Sequence, residues 1–361
     1  MKNSLAIGLL AVVVAAMAVA AIHDVDMNDV PFTDEDLESE ESMWSLYQRW
    51  RNMYASSPFL DATENERRFE AFKENAKYVN EFNKKEGMTY ELGLNKFADL
   101  TLEEFLAKYT GSKVDAATLA SFPEPVEEEE PVGVPTAWDW RQRGAVTPVK
   151  DQGSCGSCWA FSSVGAVEST YAIATKKKPV TLSEQQVLDC SGGGDCNGGY
   201  VSTVLSSFAV KKGIALSQSY PRYSAAKMAC RTTPRTPVVK MDGAASVPSS
   251  NEAALKLAVY TRPVSVLIEA DKNFQLYKAG VYSGPCGTKV NHAVLAVGYG
   301  VAPNNIKYWI VKNSWNTNWG ESGYIRMKRE ITDKRGLCGI AMYGMYPTKK
   351  SAAISMVVDS Y

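Results

Sequence analysis

The sequence predicts an α+β protein in which a helical N-terminal segment precedes one helical lobe and one sheet-rich lobe. Residues 43–83 contain one proline and no glycine, and they place aromatic side chains on one face, as amphipathic helices do. The run WAFSSVGAVESTYAIAT predicts another helix, whereas PVSVLIEA, HAVLAVGYG, KYWIVKNSW and GYIRMKRE are β-branched and aromatic runs typical of strands. A helical half followed by a sheet-rich half predicts two lobes that meet at a cleft.

The first residues predict a secretory signal peptide over residues 1–21. Lys2 precedes an apolar run that ends in small residues, which is the pattern of a cleavable leader. A signal anchor is the alternative, because the run is nearly long enough to span a bilayer. The alanine-rich end and the acidic stretch that follows favour removal near Ala20 or Ala21.

The sequence predicts a separate helical domain over residues 22–133, which ends in a linker. The helical pattern is interrupted at ASSP (55–58), and YELGLNKFADL then predicts a short strand before a helix capped by Thr101, with Glu104 three residues later. The stretch FPEPVEEEEPVGVP combines prolines with a run of four glutamates, which indicates an exposed and cleavable linker. We therefore expect a mature domain over residues 134–361.

The charge of the chain is divided between these two parts. Residues 1–133 hold 12 Lys and Arg against 26 Asp and Glu, whereas residues 134–361 hold 27 against 14. Opposite charges in one chain suggest two parts that bind each other, although two unrelated surfaces would give the same numbers. No nucleotide-binding loop or nucleic-acid motif stands out, because the basic residues are scattered rather than grouped.

Seven cysteines, all after residue 133, leave one thiol unpaired if the others form disulfides. The pair in QGSCGSCWAF, Cys155 and Cys158, has a spacing that also occurs in zinc sites and redox motifs. There is no second matching pair, the mature part has one histidine, and a βαβ context is missing. These two alternatives are therefore disfavoured but stay open at this point.

Four side chains can together perform thiol catalysis. Cys158 would lie at the N-terminus of the WAFSSVGAVE helix, whose dipole favours a thiolate, and His292 is the base available in the mature part. Asn313 can orient the imidazole and Gln152 can donate to an oxyanion, together with the backbone N–H of Cys158. Trp315 can shield the His–Asn contact from water.

The sequence resembles the papain family of cysteine protease precursors. The motif Cys155-Gly156-Ser157-Cys158-Trp159, with His292 and Asn313 downstream, is the signature of that family, and DWRQRGAVTPVKDQGSCGSCWAFS extends the match. The resemblance implies a two-lobe fold with a helical left lobe and an antiparallel β-barrel-like right lobe. It also implies a free Cys158 and three disulfides, which are Cys155–Cys196, Cys190–Cys230 and Cys286–Cys338.

The N-terminal domain resembles the inhibitory prodomain of the same family. Its spaced helix motif is matched by Glu64, Arg68, Phe72, Asn75, Val79 and Asn83, with Val79 where the family has isoleucine. A second motif is matched by Gly93, Asn95, Phe97 and Asp99. The resemblance implies that this domain lies backwards along the cleft and blocks it. Loss of carboxylate charge in acid would then loosen it and permit cleavage near Val134.

The resemblance also predicts substrate contacts. Gly198 and Gly199 would let a substrate backbone approach closely. The pocket for the side chain two residues before the cut (P2) would be formed by apolar residues, Tyr200, Val201, Leu267, Val290 and Tyr343. Tyr343 would shorten this pocket and favour Val or Leu over Phe, unless its ring turns outward. Asn291 stands where some relatives have aspartate, which leaves the local pH behaviour open.

The predicted activity is that of a monomeric endopeptidase that acts on polypeptides without metal or organic cofactor. The loop SGGGD is too short to close the cleft, which favours endopeptidase over exopeptidase activity. Expected partners are the prodomain and cystatin-type inhibitors, with no nucleic acid and, once matured, no membrane. The predicted location is a vacuole, a lysosome-like compartment or the extracellular space, and about 14 C-terminal residues would form an extension. A catalytically silent storage, defence or binding protein is the alternative.

Overall fold

The structure is a computed structural model that describes residues 29–54, 61–115, 117, 122, 133–231 and 238–350. The predicted signal peptide, most of the acidic linker and the last residues of the C-terminal extension lie outside these ranges. Within them, no helix has the length and apolar composition needed to cross a membrane.

Two long helices form the N-terminal domain, α1 (Glu40–Tyr54) and α2 (Ala62–Asn83), as the helical pattern predicted. Asp61 caps α2 by accepting a hydrogen bond from Glu64 N–H. The helices pack through aromatic side chains, with Tyr47 and Trp50 of α1 against Phe72 of α2 at centroid distances of 5.1 and 5.5 Å. The aromatic face of α1 thus forms the core of this domain.

The polar motif residues of α2 hold the segment that follows it. Asn75 Nδ2 donates to the carbonyl oxygens of Ala98 and Leu100 at 2.8 and 2.9 Å. Asn83 pairs with both backbone groups of Leu92, in strand β1 (Tyr90–Leu92). Helix α3 (Leu102–Tyr109) then begins with the predicted capping box of Thr101 and Glu104.

The helical lobe is built around α4 (Cys158–Thr175). This helix is apolar on nearly all sides and is buried over most of its length, as expected of a helix inside a core. Shorter elements surround it: α5 (Glu184–Cys190), α6 (Val201–Thr203) and α7 (Ala209–Lys211), with a π-helical segment Val204–Phe208 between the last two. Short strand pairs complete the lobe: β3 (Gly194–Asp195) with β4 (Gly198–Gly199), and β5 (Ile214–Ala215) with β6 (Val238–Val239).

The second lobe contains most strands of the largest sheet. The strands that this lobe contributes to the sheet are β2 (Trp138–Asp139), β7 (Gly243–Ser246), β8 (Val264–Ile268), β9 (Tyr277–Tyr282), β10 (His292–Ala302), β11 (Ile306–Lys312), β12 (Tyr324–Lys328) and β13 (Met345–Thr348). The order is β1-β9-β12-β11-β10-β8-β13-β7, and β2 pairs with β10. Helices α8 (Glu252–Thr261) and α9 (Lys272–Gln275) lie between strands in the chain.

The predicted α+β fold with a helical and a sheet-rich lobe is confirmed, and the structure adds two details about the sheet. Among the described residues this sheet is an open path that ends at β1 and β7, not a closed barrel. The pair β12–β9 is parallel, whereas the other pairs in the sheet are antiparallel. The edge that β9 leaves free is occupied by β1 of the N-terminal domain, which satisfies its backbone groups.

The N-terminal domain is bound to the sheet-rich lobe by backbone pairing and by a shared apolar core. Besides the β1–β9 ladder, Gly93 N–H donates to Leu276 O at 2.8 Å, and Asn95 Nδ2 donates to Gln275 O at 2.9 Å. Gln275 Nε2 in turn donates to Phe97 O at 3.0 Å. One contiguous apolar cluster includes residues of both parts, so this domain packs as an integral layer of the fold.

Candidate active site

Cys158 is the first residue of α4 and the one free cysteine among the described residues. Its side chain is fully buried, and its Sγ accepts a hydrogen bond from Ala293 N–H at 3.5 Å. Ala293 follows His292 at the start of β10, so the thiol of one lobe lies against the histidine strand of the other. The N-terminal end of α4 supplies the positive dipole that stabilises a thiolate.

His292 is oriented by Asn313 and covered by Trp315. His292 Nε2 and Asn313 Oδ1 are 2.8 Å apart, and the Trp315 ring stacks on the imidazole at a centroid distance of 4.5 Å. All three side chains are buried. Because Nε2 is engaged by the amide oxygen, Nδ1 remains for proton exchange; it is buried without a hydrogen-bond partner among the described residues.

Gln152 lies at the junction of the two lobes. Its Oε1 accepts from Ser314 Oγ at 2.6 Å, which fixes the amide so that Nε2 faces the other way. Nε2 donates to Cys155 O at 2.9 Å and to Tyr109 O, at the end of α3, at 3.0 Å. Trp315 Nε1 donates to the same Tyr109 oxygen at 3.3 Å. A backbone carbonyl of the N-terminal domain therefore occupies the donor proposed for the oxyanion.

The chain that follows α3 runs through the cleft between the lobes. Gly111 and Ser112 N–H both donate to Asn291 O, at 2.8 and 2.9 Å. On the other side, Gly199 N–H donates to Gly111 O at 2.8 Å and Lys113 N–H donates to Gly199 O at 2.9 Å. The bridge between Ser112 and Gly199 is parallel. These backbone bonds hold the segment across the mouth of the site.

Glycines make this close approach possible. A Cβ on Gly111 would lie 2.4 Å from Gly156 O, and a Cβ on Gly198 would lie 2.3 Å from Gly111 O. A Cβ on Gly199 would lie 2.6 Å from the ring of Trp159. The backbones of Gly198 and Gly199 thus lie where a side chain would not fit, and their role toward a substrate backbone stays a prediction.

The covered site holds its thiol and imidazole in neutral forms. Burial raises the pKa of Cys158 to about 12, which the backbone N–H groups of Ala293, Trp159 and Gly111 offset only in part. Burial also lowers the pKa of His292 to about 4, against the smaller opposite effect of the Asn313 hydrogen bond. At neutral pH the thiol is therefore protonated and the imidazole is uncharged. In these forms neither group is reactive.

Four of the five predicted P2-pocket residues belong to one apolar cluster that includes residues of both lobes. Val201 and Leu267 are members of its core, and Val290 and Tyr343 are partly buried against it. Tyr200 is half-buried and does not belong to this cluster. The packing of Tyr343 against the cluster argues against the alternative in which its ring turns outward.

The three disulfides that the resemblance implied are present, joining Cys155 to Cys196, Cys190 to Cys230 and Cys286 to Cys338. The first of them excludes a zinc site or a redox pair made of Cys155 and Cys158, because Cys155 is already bonded. In the described ranges, no group of three or more His, Cys, Asp and Glu side chains is placed to hold a metal ion.

Four contributors to this site were not predicted from the sequence: Tyr109, Gly111, Ser314 and Tyr223, whose hydroxyl donates to Gln152 O at 2.8 Å. Tyr109 and Gly111 act through backbone atoms, which residue type does not reveal. Ser314 lies between Asn313 and Trp315, so the motif that contains them was a signal for it. Tyr223 is distant in sequence and gave no signal, since its contacts arise only in the folded chain.

Comparison with known proteins places these features in a family. Residues 134–348 match the family described as Papain family cysteine protease, and residues 47–105 match the Cathepsin propeptide inhibitor domain (I29). The chain is 48% identical to thiol protease SEN102 of Hemerocallis sp., over 90% of this chain and 91% of that protein. It is 45% identical to cysteine endopeptidase RepA of Oryza sativa subsp. japonica, over 90% of each chain.

A solved structure of a related precursor has the same fold. It is the ragweed pollen allergen Amb a 11, a cysteine protease, in its proform, with 38% identity, a TM-score of 0.80 and coverage of 90% of this chain and 98% of that chain. The chain therefore belongs to the papain family of cysteine proteases, and it is a cysteine endopeptidase with its own propeptide inhibitor domain. The helical N-terminal domain is hereafter called the prodomain.

Proposed function

We propose that this endopeptidase cleaves peptide bonds through a thioester on Cys158, with His292 as base and acid, Asn313 as the orienting group and Gln152 as oxyanion donor. The observation that carries this proposal is the joint placement of the free Cys158, beside Ala293 N–H, and the 2.8 Å contact of His292 with Asn313. Relatives named as endopeptidases and this complete set of groups leave the silent-homologue alternative without support.

Each step follows from these groups. Once the prodomain leaves, water reaches the cleft and the thiol transfers its proton to His292 Nδ1, which gives a thiolate–imidazolium pair. The thiolate attacks the scissile carbonyl carbon, and Gln152 Nε2 and Cys158 N–H bind the resulting oxyanion. His292 then protonates the leaving amine and the thioester forms. Water, deprotonated by His292, hydrolyses the thioester to the carboxylic acid and regenerates the thiol.

We further propose a hydrophobic preference at P2, with Val and Leu favoured over Phe. The apolar cluster that contains Val201 and Leu267, and the packing of Tyr343 and Val290 against it, support a shallow apolar pocket. The prodomain residue Val114 packs against the same cluster, so a branched aliphatic side chain is accommodated there. Endopeptidase action fits a cleft that the prodomain backbone crosses from one side to the other.

Acid-triggered release of the prodomain completes the proposed cycle, with cleavage near Val134 and removal of residues 22–133. Ion pairs across the interface include Asp29–Lys278 at 3.0 Å and Lys96–Asp151 at 3.1 Å. The prodomain supplies the carboxylate in the first pair and the ammonium group in the second, so the interface is not acidic on one side and basic on the other. The net negative prodomain and the net positive mature part therefore attract each other through their overall electrostatic fields. Acid would weaken the attraction as carboxylates protonate, and salt would screen it.

The signal-like N-terminus supports entry into the secretory pathway, with a vacuole, a lysosome-like compartment or the extracellular space as destination. Disulfides fit such an oxidising route. We propose that the mature enzyme is monomeric and that cystatin-type inhibitors bind in the same cleft as the prodomain segment.

The direct test is hydrolysis of fluorogenic dipeptidyl substrates after acid treatment of the purified precursor. We expect activity with Val or Leu at P2, none before treatment, and none in Cys158→Ala at any pH. Activity that survives in Cys158→Ala, or a processed and folded protein without activity, would contradict the proposal. Sizing of the active fraction then tests whether it is a monomer.

A further inference from the structure

The hydroxyl of Tyr223 connects the two end regions of the loop formed by residues 152–158. Tyr223 Oη donates to Gln152 O at 2.8 Å and lies 2.6 Å from Ser157 Oγ. Because the phenol has one proton, its donation to Gln152 O leaves the Ser157 hydroxyl as the donor in the second contact. Ser157 immediately precedes Cys158 and is fully buried. A single hydroxyl is thereby bonded to residues at both ends of a seven-residue loop.

This loop supplies both groups proposed to bind the oxyanion, Gln152 Nε2 and Cys158 N–H. On the sheet side, Gln152 N–H donates to Ser314 O at 2.9 Å, and Ser314 Oγ fixes the Gln152 amide. On the helical side, Tyr223 holds the carbonyl of Gln152 and the residue before Cys158. The spacing between the two oxyanion donors thus depends on contacts from both lobes.

The position of the Tyr223 ring is set by packing that does not involve its hydroxyl. The ring meets Phe161, one turn into α4, edge to face at a centroid distance of 4.9 Å and an angle of 86°. Burial raises the pKa of Tyr223 above its usual range, so the hydroxyl keeps its proton at the pH of catalysis. Replacement by phenylalanine would therefore remove the two hydrogen bonds and leave the ring contact in place.

We infer that Tyr223 is a positioning residue for the oxyanion-binding loop, which acts on catalysis through Gln152 and Ser157 without touching the substrate. This inference rests on the proposed role of Gln152. Removal of the hydroxyl lets the loop ends move relative to each other, so the oxyanion loses well-aligned donors in the transition state while ground-state binding is kept.

The test compares Tyr223→Phe with Tyr220→Phe in the full-length precursor, after acid activation. Tyr220 lies three residues earlier, and its hydroxyl is bonded to Asp189 Oδ2 and Arg231 N–H, both at 3.0 Å, away from the loop. Tyr223→Phe should lower kcat about tenfold with KM within about twofold, less than the about 100- to 1,000-fold expected for loss of a donor itself. Tyr220→Phe should leave kcat unchanged, whatever it does to thermal stability.

Two further variants separate the possible failures. Gln152→Ala should lower kcat more than Tyr223→Phe, and Gln152→Ala with full kcat would contradict the proposed function itself. Ser157→Ala removes the other end of the contact and should lower kcat as Tyr223→Phe does, which provides a readout if Tyr223→Phe fails to fold. Full kcat in Tyr223→Phe with reduced kcat in Gln152→Ala would overturn this inference alone, as would equal losses of kcat in Tyr223→Phe and Tyr220→Phe.

Discussion

The carbonyl oxygen of Tyr109 accepts a hydrogen bond from Gln152 Nε2 at 3.0 Å. The prodomain therefore engages, with a backbone atom, the side-chain donor that we propose for the oxyanion of the transition state. Two residues further on, Gly111 pairs with both walls of the cleft. We infer that the prodomain inhibits by occupying this donor and by excluding water from the thiol and the imidazole.

Gly111→Ala should make the precursor leaky. The added methyl group would lie 2.4 Å from Gly156 O, a backbone atom that cannot move aside easily. Overpacking of this kind costs about 1–3 kcal/mol, which corresponds to an about 5- to 150-fold rise in the open fraction. The rate at which a thiol reagent labels the untreated precursor at neutral pH measures this fraction. Lys108→Ala, on an exposed position of α3, is the control, and equal rates for the two variants would contradict the steric account.

Asn313→Ala should lower kcat about 2- to 10-fold and leave KM unchanged. The variant loses the hydrogen bond at His292 Nε2 that orients the ring, and a net hydrogen-bond contribution of about 0.5–1.5 kcal/mol sets the size of the effect. Steady-state kinetics on the acid-activated enzyme give both constants. A change in KM alone would mean that Asn313 binds substrate instead of orienting the base.

Glu64→Gln should let the precursor activate at a higher pH. Hydrogen bonds from Arg67 and then Arg68 lower the pKa of Glu64 below its usual 4.5. A lowered folded-state pKa means that this carboxylate stabilises the prodomain above about pH 4.5 and loses that effect as the pH falls further. The rate of self-processing between pH 6 and about pH 3 should therefore rise earlier in Glu64→Gln and depend less steeply on pH.

Protonation of Asp99 has the opposite effect on prodomain stability to protonation of Glu64. Burial raises its pKa to about 6, which Arg68 offsets only in part, so its ionisation destabilises the folded prodomain as the pH rises through 6. In a Cys158→Ala background, which cannot process itself, Asp99→Asn should make the change in melting temperature from pH 7 to pH 5 less favourable, because the stabilising protonation of Asp99 is lost. Glu66→Gln removes one charge from an exposed position of the same helix as Glu64 and is the control for both variants. A control that behaves like Glu64→Gln would make net charge, not the Glu64–arginine contacts, the determinant.

Tyr343→Ala should change the P2 preference from Val and Leu toward Phe. The phenol packs against the cluster that contains Leu267, and its removal deepens the pocket. A change in the volume of an apolar pocket by a few carbon atoms changes the ratio of kcat/KM between two substrates by about 10-fold or more. The ratio of kcat/KM for substrates with Phe and Val at P2 reports the change. An unchanged ratio would place the side chain of Tyr343 outside the pocket.

Much of the fold followed from local patterns. The apolar periodicity of α2, the apolar run of α4 and the β-branched runs of β8, β10 and β11 depend on residues near in sequence, so these elements were predicted. Strand β9 was missed, because Gly280 interrupts its apolar pattern and its edge is paired by β1 from about 190 residues earlier.

The site shows the same division. Cys158, His292, Asn313 and Gln152 could be predicted from residue type and from the resemblance, because their chemistry resides in side chains. The contact of the Tyr109 carbonyl could not, since any residue offers a carbonyl oxygen. Tyr223 belongs with Tyr109, because only folding brings its hydroxyl to Gln152 and Ser157.

The most direct measurement is active-site labelling with a thiol-directed epoxysuccinyl peptide, followed by peptide mass mapping, before and after acid activation. The covered site holds Cys158 as a neutral, buried thiol, so the untreated precursor should react slowly and the activated enzyme should carry one adduct, on Cys158. An adduct on Cys155, or equally fast labelling of Cys158 in the untreated precursor, would contradict the account of a free nucleophile blocked by its own prodomain.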